Sequence, residues 1–293
     1  MKRLSARQGI LLFYLIDAVL LLMLVVSFLP LSRRQTAPSM QTALLNPNRA
    51  QNVASVTISV ADESDAGGRT TVTLERHGSL WSGISSVSSG TYSWPADMQT
   101  VARLFAEAVK ITTVYTKADN VSAWKQLGID DANAAVLTFR DERNDIVSQL
   151  FFGSGDLLSR RIFFRTWTKT TAYETDDAIA SFLSADESFW ADPFVYPQCL
   201  TGADRVASES FLRRGLLLNI APRDGLPVYA ELKKDFGNGA SARFFIYEKN
   251  DAFVVIPSFS AGPAFGAAER DMLEKLNYRY SISAWTYERW AAE

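Results

Sequence analysis

Histidine, cysteine, paired carboxylates and glycine-rich loops are the residue types that most often carry chemistry, and this chain holds few of them. His77 is the only histidine and Cys199 the only cysteine among 293 residues. A histidine-based zinc site or an H-E-x-x-H motif therefore cannot form, and any nucleophile activated by imidazole has to use His77. That histidine sits beside Gly78 in the pattern of a hairpin turn, which predicts an exposed turn residue. Cys199 lies in the aromatic stretch Phe194-Val-Tyr-Pro-Gln-Cys-Leu200 and reads as a packing residue. One thiol excludes an internal disulfide framework and any multi-thiolate metal site. Acidic pairs occur at Asp62-Glu63, Asp130-Asp131, Asp141-Glu142, Asp176-Asp177 and Asp186-Glu187. Two carboxylates run acid–base hydrolysis only when the fold sets them apart across a cleft. All five pairs fall at turns or helix starts, where solvation and capping account for them. Gly153-Ser154-Gly155 lacks the third glycine of a dinucleotide loop and reads as a turn after a strand ending at Phe152. The sequence thus assigns no catalytic, cofactor-binding or metal-binding residue, and the expectation is a protein that is not an enzyme and carries no cofactor.

Composition narrows the class further. Apolar residues make up 47% and aromatics 12%, enough for a large core. Thirty basic residues against thirty-two acidic ones leave a net charge of -2. With no basic excess to neutralise a phosphate backbone, nucleic acid is not an expected partner.

The elements begin with a run too apolar for a globular helix. Residues 10–31 read ILLFYLIDAVLLLMLVVSFLPL, interrupted only by Asp17, Ser27 and Pro30. At about 1.5 Å per residue, twenty such residues span about 30 Å, the thickness of a hydrocarbon core. No polar stripe marks a face that would meet water. A cleaved signal peptide fits less well: the run exceeds the usual 7–15 residues, and Ala37-Pro38-Ser39, the nearest cleavage candidate, is distant and carries proline. Lys2, Arg3 and Arg7 precede the run while Arg33 and Arg34 follow it, a slight bias toward a cytoplasmic N-terminus. The expectation is a single-pass anchor in a bacterial cytoplasmic membrane, with a periplasmic domain beyond it. Asp17, within the span, is costly there; it is protonated, near the interface, or paired with a polar group on another membrane helix.

After a tail (1–9), the anchor (10–31) and a polar linker (32–52), alternation predicts strands at Val53–Val60, Thr70–Arg76 and Leu80–Ile84. Trp94-Pro-Ala-Asp97 opens a helix running to Lys110, with proline and aspartate in its first turn. A strand follows at Ile111–Tyr115, then a helix at Val121–Leu127 stopped by Gly128. Strands are expected at Ala134–Arg140, Asp145–Phe152, Arg161–Thr166 and Thr171–Glu174, and a helix at Asp176–Leu183. Trp190-Ala-Asp-Pro-Phe-Val-Tyr-Pro197 breaks regular structure and marks a boundary between 53–197 and 198–293. Beyond it come strands near Arg205–Ser210, Gly215–Ile220, Val228–Lys233, Ala242–Tyr247 and Phe253–Ile256, a helix at Ala264–Leu276 and a strand at Arg279–Trp285. The predicted fold is α+β: an N-terminal transmembrane helix, then mainly antiparallel sheets with helices packed on one face, arranged as two similar α/β subdomains. Aromatic rings are enriched at interfaces, and Trp285, Tyr287 and Trp290, with Asp17, are the expected partner contacts.

Four motifs in order carry a family resemblance. Leu80-Trp81 follows a hairpin, Trp94-Pro95-Ala96-Asp97 opens a helix, Gln126-Leu127-Gly128-Ile129-Asp130 precedes a strand, and Phe151-Phe152-Gly153 closes the next. Over residues 53–197 this order resembles the DUF4340 family of uncharacterised bacterial proteins. The third motif departs from the family's usual tyrosine-glycine-leucine wording but keeps its glycine and aspartate. The resemblance implies a non-enzymatic, membrane-anchored accessory subunit of an ABC transporter-like envelope complex, similar in setting to auxiliary proteins of gliding motility. Its partner would be an ABC-type permease or another integral membrane subunit, met through protein–protein contacts. The alternative reading is an anchored ligand-binding module for a glycan, peptide or lipid.

Overall fold

A computed structural model describes residues 39–62, 68–87, 90–156, 160–200, 227–237, 239–249 and 252–292. The expected anchor at 10–31, Asp17 within it, and the strands expected at 205–210 and 215–220 lie outside these residues. Among the described residues no helix is long and apolar enough to cross a membrane. The architecture is α+β, mainly antiparallel sheet with a few helices.

Alternation builds the larger sheet. In β2 (Val53–Ala61), Val56 and Ile58 are fully buried while Thr57 and Ser59 between them are not, the period of two expected of a pleated strand. Strands β3 (Arg69–His77), β4 (Leu80–Val87) and β5 (Gly90–Pro95) continue from β2 as a meander. A second meander runs through β7 (Ala135–Asp141), β8 (Ile146–Asp156), β9 (Arg161–Thr166) and β10 (Ala172–Asp176). The two lie side by side through an antiparallel β2–β7 seam in which Thr57 faces Thr138. With β6 (Thr112–Ala118) and β1 (Ser39–Thr42) added outside β10, the order across ten strands is β1-β6-β10-β9-β8-β7-β2-β3-β4-β5.

Several expectations need correction. Residues 39–52, read as linker, instead supply β1 and a short helix α1 (Pro47–Ala50), and Leu45 between them is fully buried. Pro95 does not open a helix; it ends β5, an edge strand, where its missing N–H leaves no ladder position unfilled. Helix α2 (Met98–Val109) starts after Asp97, whose carboxylate caps it by accepting from the Gln99 amide at 3.1 Å. The helix expected over 176–183 reduces to a 3-10 turn, Ala178–Phe182.

Apolar side chains of α2 lie over one face of the large sheet: Phe105 packs 5.6 Å from Trp81 and 5.8 Å from Phe139. Helices do not keep to that face. The 3-10 turn Val121–Ala123 and helix α3 (Trp124–Leu127) place Trp124 against Arg165, which points the other way, alongside Phe151.

The smaller sheet runs β11 (Ala230–Asp235), β12 (Ser241–Lys249), β13 (Ala252–Ser260) and β14 (Tyr280–Ser283), all antiparallel. Helix α5 (Ala267–Lys275) connects its last two strands. The strand expected to end at Trp285 stops at Ser283. That residue's hydroxyl accepts from the Thr286 amide at 3.1 Å and starts helix α6 (Ala284–Ala291). Trp290 from α6 closes the core edge-on against Phe244, ring centroids 4.7 Å apart. The two sheets meet through a bridge between Ser93 and Asn277, the Tyr278 hydroxyl donating to the Val195 carbonyl at 2.8 Å, and the Tyr280 hydroxyl donating to the Asp192 carbonyl.

Candidate functional site

The motif residues act as joints. A Cβ on Gly83 would overlap the six-membered ring of Trp94, which lies across it in the adjacent strand. Trp94 is fully buried and its Nε1 donates to the Ser85 hydroxyl at 2.9 Å. A Cβ on Gly153 would overlap the Leu127 carbonyl oxygen, so the chain after α3 rests directly on β8. Gly128 closes α3 at φ +69°, a conformation glycine adopts without strain. Arg165, 4% exposed, lies between the rings of Phe151 and Trp124, its guanidinium 3.5 and 4.0 Å from their centroids. It donates from Nε to the Ile129 carbonyl at 2.8 Å and from Nη2 to the Asp131 carboxylate. Burial pushes this guanidinium down from its ordinary value, and Asp131 opposes the shift.

The chemistry-bearing residues are held in turns. His77 ends β3 and its Nε2 lies 3.0 Å from the Ser82 hydroxyl, but Ser82 is 1% exposed, so this pair presents no nucleophile to a substrate. Asp130 accepts from the Asn133 side-chain amide and the Ala132 backbone amide, and these hold it below the usual carboxylate range. Asp141 Oδ1 accepts from the Arg143 and Asp145 amides, both at 3.0 Å. Asp176 accepts from the Thr112 hydroxyl at 2.6 Å, and Asp186 caps helix α4 (Glu187–Trp190) through the Ser188 amide at 2.9 Å. Cys199 is half-buried. Among the described residues no group of acidic, histidine and cysteine side chains is arranged to hold a metal ion.

A cleft opens where β2 begins and β3 and β7 end. Its polar part, about 620 Å³, is lined by Gln51, Arg76, Asp141, Glu142 and Arg143 among others. A second groove of about 330 Å³ is lined by Ser79, Trp81, Met98, Val101, Ala102 and Phe105 among others. Arg76 borders both parts. Its Nε donates to the Gly78 carbonyl and its Nη1 to the Gln51 carbonyl, each at 2.9 Å, leaving Nη2 without a protein acceptor among the described residues. Both volumes lie within or near the range of about 300–1,000 Å³ typical of small-ligand sites. Sequence reasoning missed this cleft. The hairpin turn at Asp141 was legible, but nothing local signals that it ends beside Arg76.

The expected partner contacts divide by exposure. Trp285 is 49% exposed, with the Arg289 guanidinium 4.8 Å from its ring. Tyr287 is half-buried and joins Phe253 and the exposed Tyr229 in a ring cluster, with centroids 4.5 and 5.6 Å away. Burial, then Tyr229, raises its hydroxyl above the ordinary value. Trp290, by contrast, is 9% exposed and belongs to the core, a correction to its expected role. Asp17 lies outside the described residues. Comparison with protein-family models, with curated proteins and with solved structures finds no match.

Proposed function

We propose that the protein is a non-enzymatic accessory subunit of an ABC transporter-like envelope complex, acting through protein–protein contacts. It is anchored by residues 10–31 in the bacterial cytoplasmic membrane, with its folded part on the outer side. A division of that part near Pro197 into two similar subdomains belongs to the same reading. The resemblance of the motif order to that of the DUF4340 family supports the setting.

One observation carries the docking role: large apolar side chains stand exposed on and near α6. Val228, Tyr229 and Trp285 are each about half exposed, and large rings with an adjacent arginine are the side chains that dominate binding energy at protein interfaces. The occupant in this reading is an extramembrane surface of an ABC-type permease or another integral membrane subunit. Purification of the full-length protein in a mild non-ionic detergent, followed by mass spectrometry, tests it. A permease or ATPase subunit should co-purify with the parent protein and be depleted from a Tyr229→Ala, Trp285→Ala double variant. Recovery of the protein alone from both preparations refutes the role.

A further inference from the structure

We propose that the cleft at Arg76 is a binding site for a zwitterionic single-chain amphiphile, a lysophospholipid being the simplest example. This goes beyond the docking role and does not depend on it.

The two spaces share the Arg76 side chain as a lining residue, the first more polar and the second more apolar, so an occupant that reaches across Arg76 is polar at one end and apolar at the other. The polar part carries both signs of charge: Arg76 and Arg143 against Asp141 and Glu142. A ligand bearing only one charge would meet a like charge there. A head group with an anionic and a cationic centre is complementary to such a mixture. Arg76 is held at Nε and Nη1 by two backbone carbonyls, which fixes the direction of Nη2 before any ligand arrives. Glu142 stands in an exposed turn and has no hydrogen-bond or ion-pair partner among the described residues, so its carboxylate is available to the cationic centre. Asp141 is less available because its Oδ1 already closes the turn.

The groove suits an alkyl chain better than a strand or a sugar ring. Its wall is formed by side chains of α2 and by Trp81. A peptide adding as a β-strand would need unpaired strand backbone, whereas β3 is paired on both sides, by β2 and β4. A sugar ring would need an open aromatic face, but Trp81 is 7% exposed and Phe105 packs against it.

Photo-crosslinking of the full-length protein in a maltoside detergent tests this, using a lysophosphatidylcholine with a diazirine in mid-chain and peptide mapping of the adducts. Adducts are expected at Trp81 and within Met98–Phe105. Unlabelled lysophosphatidylcholine should displace the probe at concentrations about tenfold lower than laurate, dodecyltrimethylammonium or glycerophosphocholine require. Tenfold is what one charged contact worth roughly 1.4 kcal/mol supplies. Ala102→Trp, at an exposed position that lines the groove, should abolish these adducts while the melting temperature stays near the parent's. Glu142→Gln should erase the preference over laurate. Adducts confined to other segments, equal competition by any of the three partial ligands, or unchanged labelling of Ala102→Trp would each overturn the proposal.

Discussion

Replacing Gly83 with alanine should destabilise the protein far more than adding one methyl group suggests. The new Cβ would fall inside the volume of the Trp94 ring, contacting its Cη2, Cζ2 and Cε2 atoms. Trp94 is fully buried, so the ring has no empty space to enter. Overpacking of this kind costs about 1–3 kcal/mol. If the ring swings aside instead, its Nε1 leaves the Ser85 hydroxyl, which is itself buried; an orphaned buried donor costs about 1–3 kcal/mol. Either route, at roughly 1–3 kcal/mol, corresponds to a fall in melting temperature of about 2–12 °C for a domain of this size. Thermal unfolding of purified full-length protein, followed by circular dichroism, reads the shift. A double-mutant cycle sharpens the test: Trp94→Leu alone should cost about 2–5 kcal/mol through the cavity it leaves, but it also vacates the space the methyl needs. The double variant should therefore be more stable than the sum of the singles by roughly 1 kcal/mol or more. Strict additivity, or a Gly83→Ala protein that melts with its parent, would refute the packing argument.

Arg165→Met should cost about 2–4 kcal/mol in urea denaturation, since it keeps apolar contact with the flanking rings but removes charge-assisted hydrogen bonds to Ile129 and Asp131. Glu269 accepts from the Ser79 hydroxyl and amide and from the Gly266 amide, which hold its carboxyl below the ordinary range and tie the β3–β4 hairpin to the start of α5. Because the folded value is depressed, this tie is fully present above the unfolded value of about 4.3 and is lost as pH falls through the lower folded value. Parent and Glu269→Gln should accordingly differ in stability at pH 6 and converge at the acid end; a constant gap across that range would contradict the assignment. Trp285→Ala should leave the melting temperature nearly unchanged, within about 0.5 kcal/mol of the parent, because the ring is half exposed; a large loss would move Trp285 into the core.

Local pattern and tertiary convergence contributed unequally to what could be read in advance. Hairpins β2–β3 and β7–β8 were legible because residues such as Val56 and Ile58 alternate with Thr57 and Ser59, and because Asp141–Asn144 is a recognisable turn. Strand β5 was missed: Tyr92-Ser-Trp-Pro95 is short, and proline drew the reading toward a helix start. Helix α6 was missed because Trp285, Thr286 and Tyr287 favour strands, although Ser283 was available as a cap. Gly153 was visible within a motif but its reason was not, since it meets Leu127 only through packing, and Gly83, which no motif marked, meets Trp94 in the same way. For the cleft the obstacle is separation in sequence: Arg76, Phe105 and Glu142 come together only when β2 has paired with both β3 and β7.

The seam between β2 and β7 has a consequence for how the chain emerges during synthesis. Once β2 to β5 are made, they can pair locally, but the flank of β2 that will receive β7 has no partner until the stretch from Pro95 to Ala135 has been translated. At about 5–20 residues per second that delay lasts on the order of seconds. Throughout it, a strand carrying Val56 and Ile58 presents an unsatisfied ladder of amides and carbonyls, the kind of template on which nascent chains stick to one another. Slowing translation between Pro95 and Ala135 should lower the yield of folded protein more than the same slowing applied after Asp141.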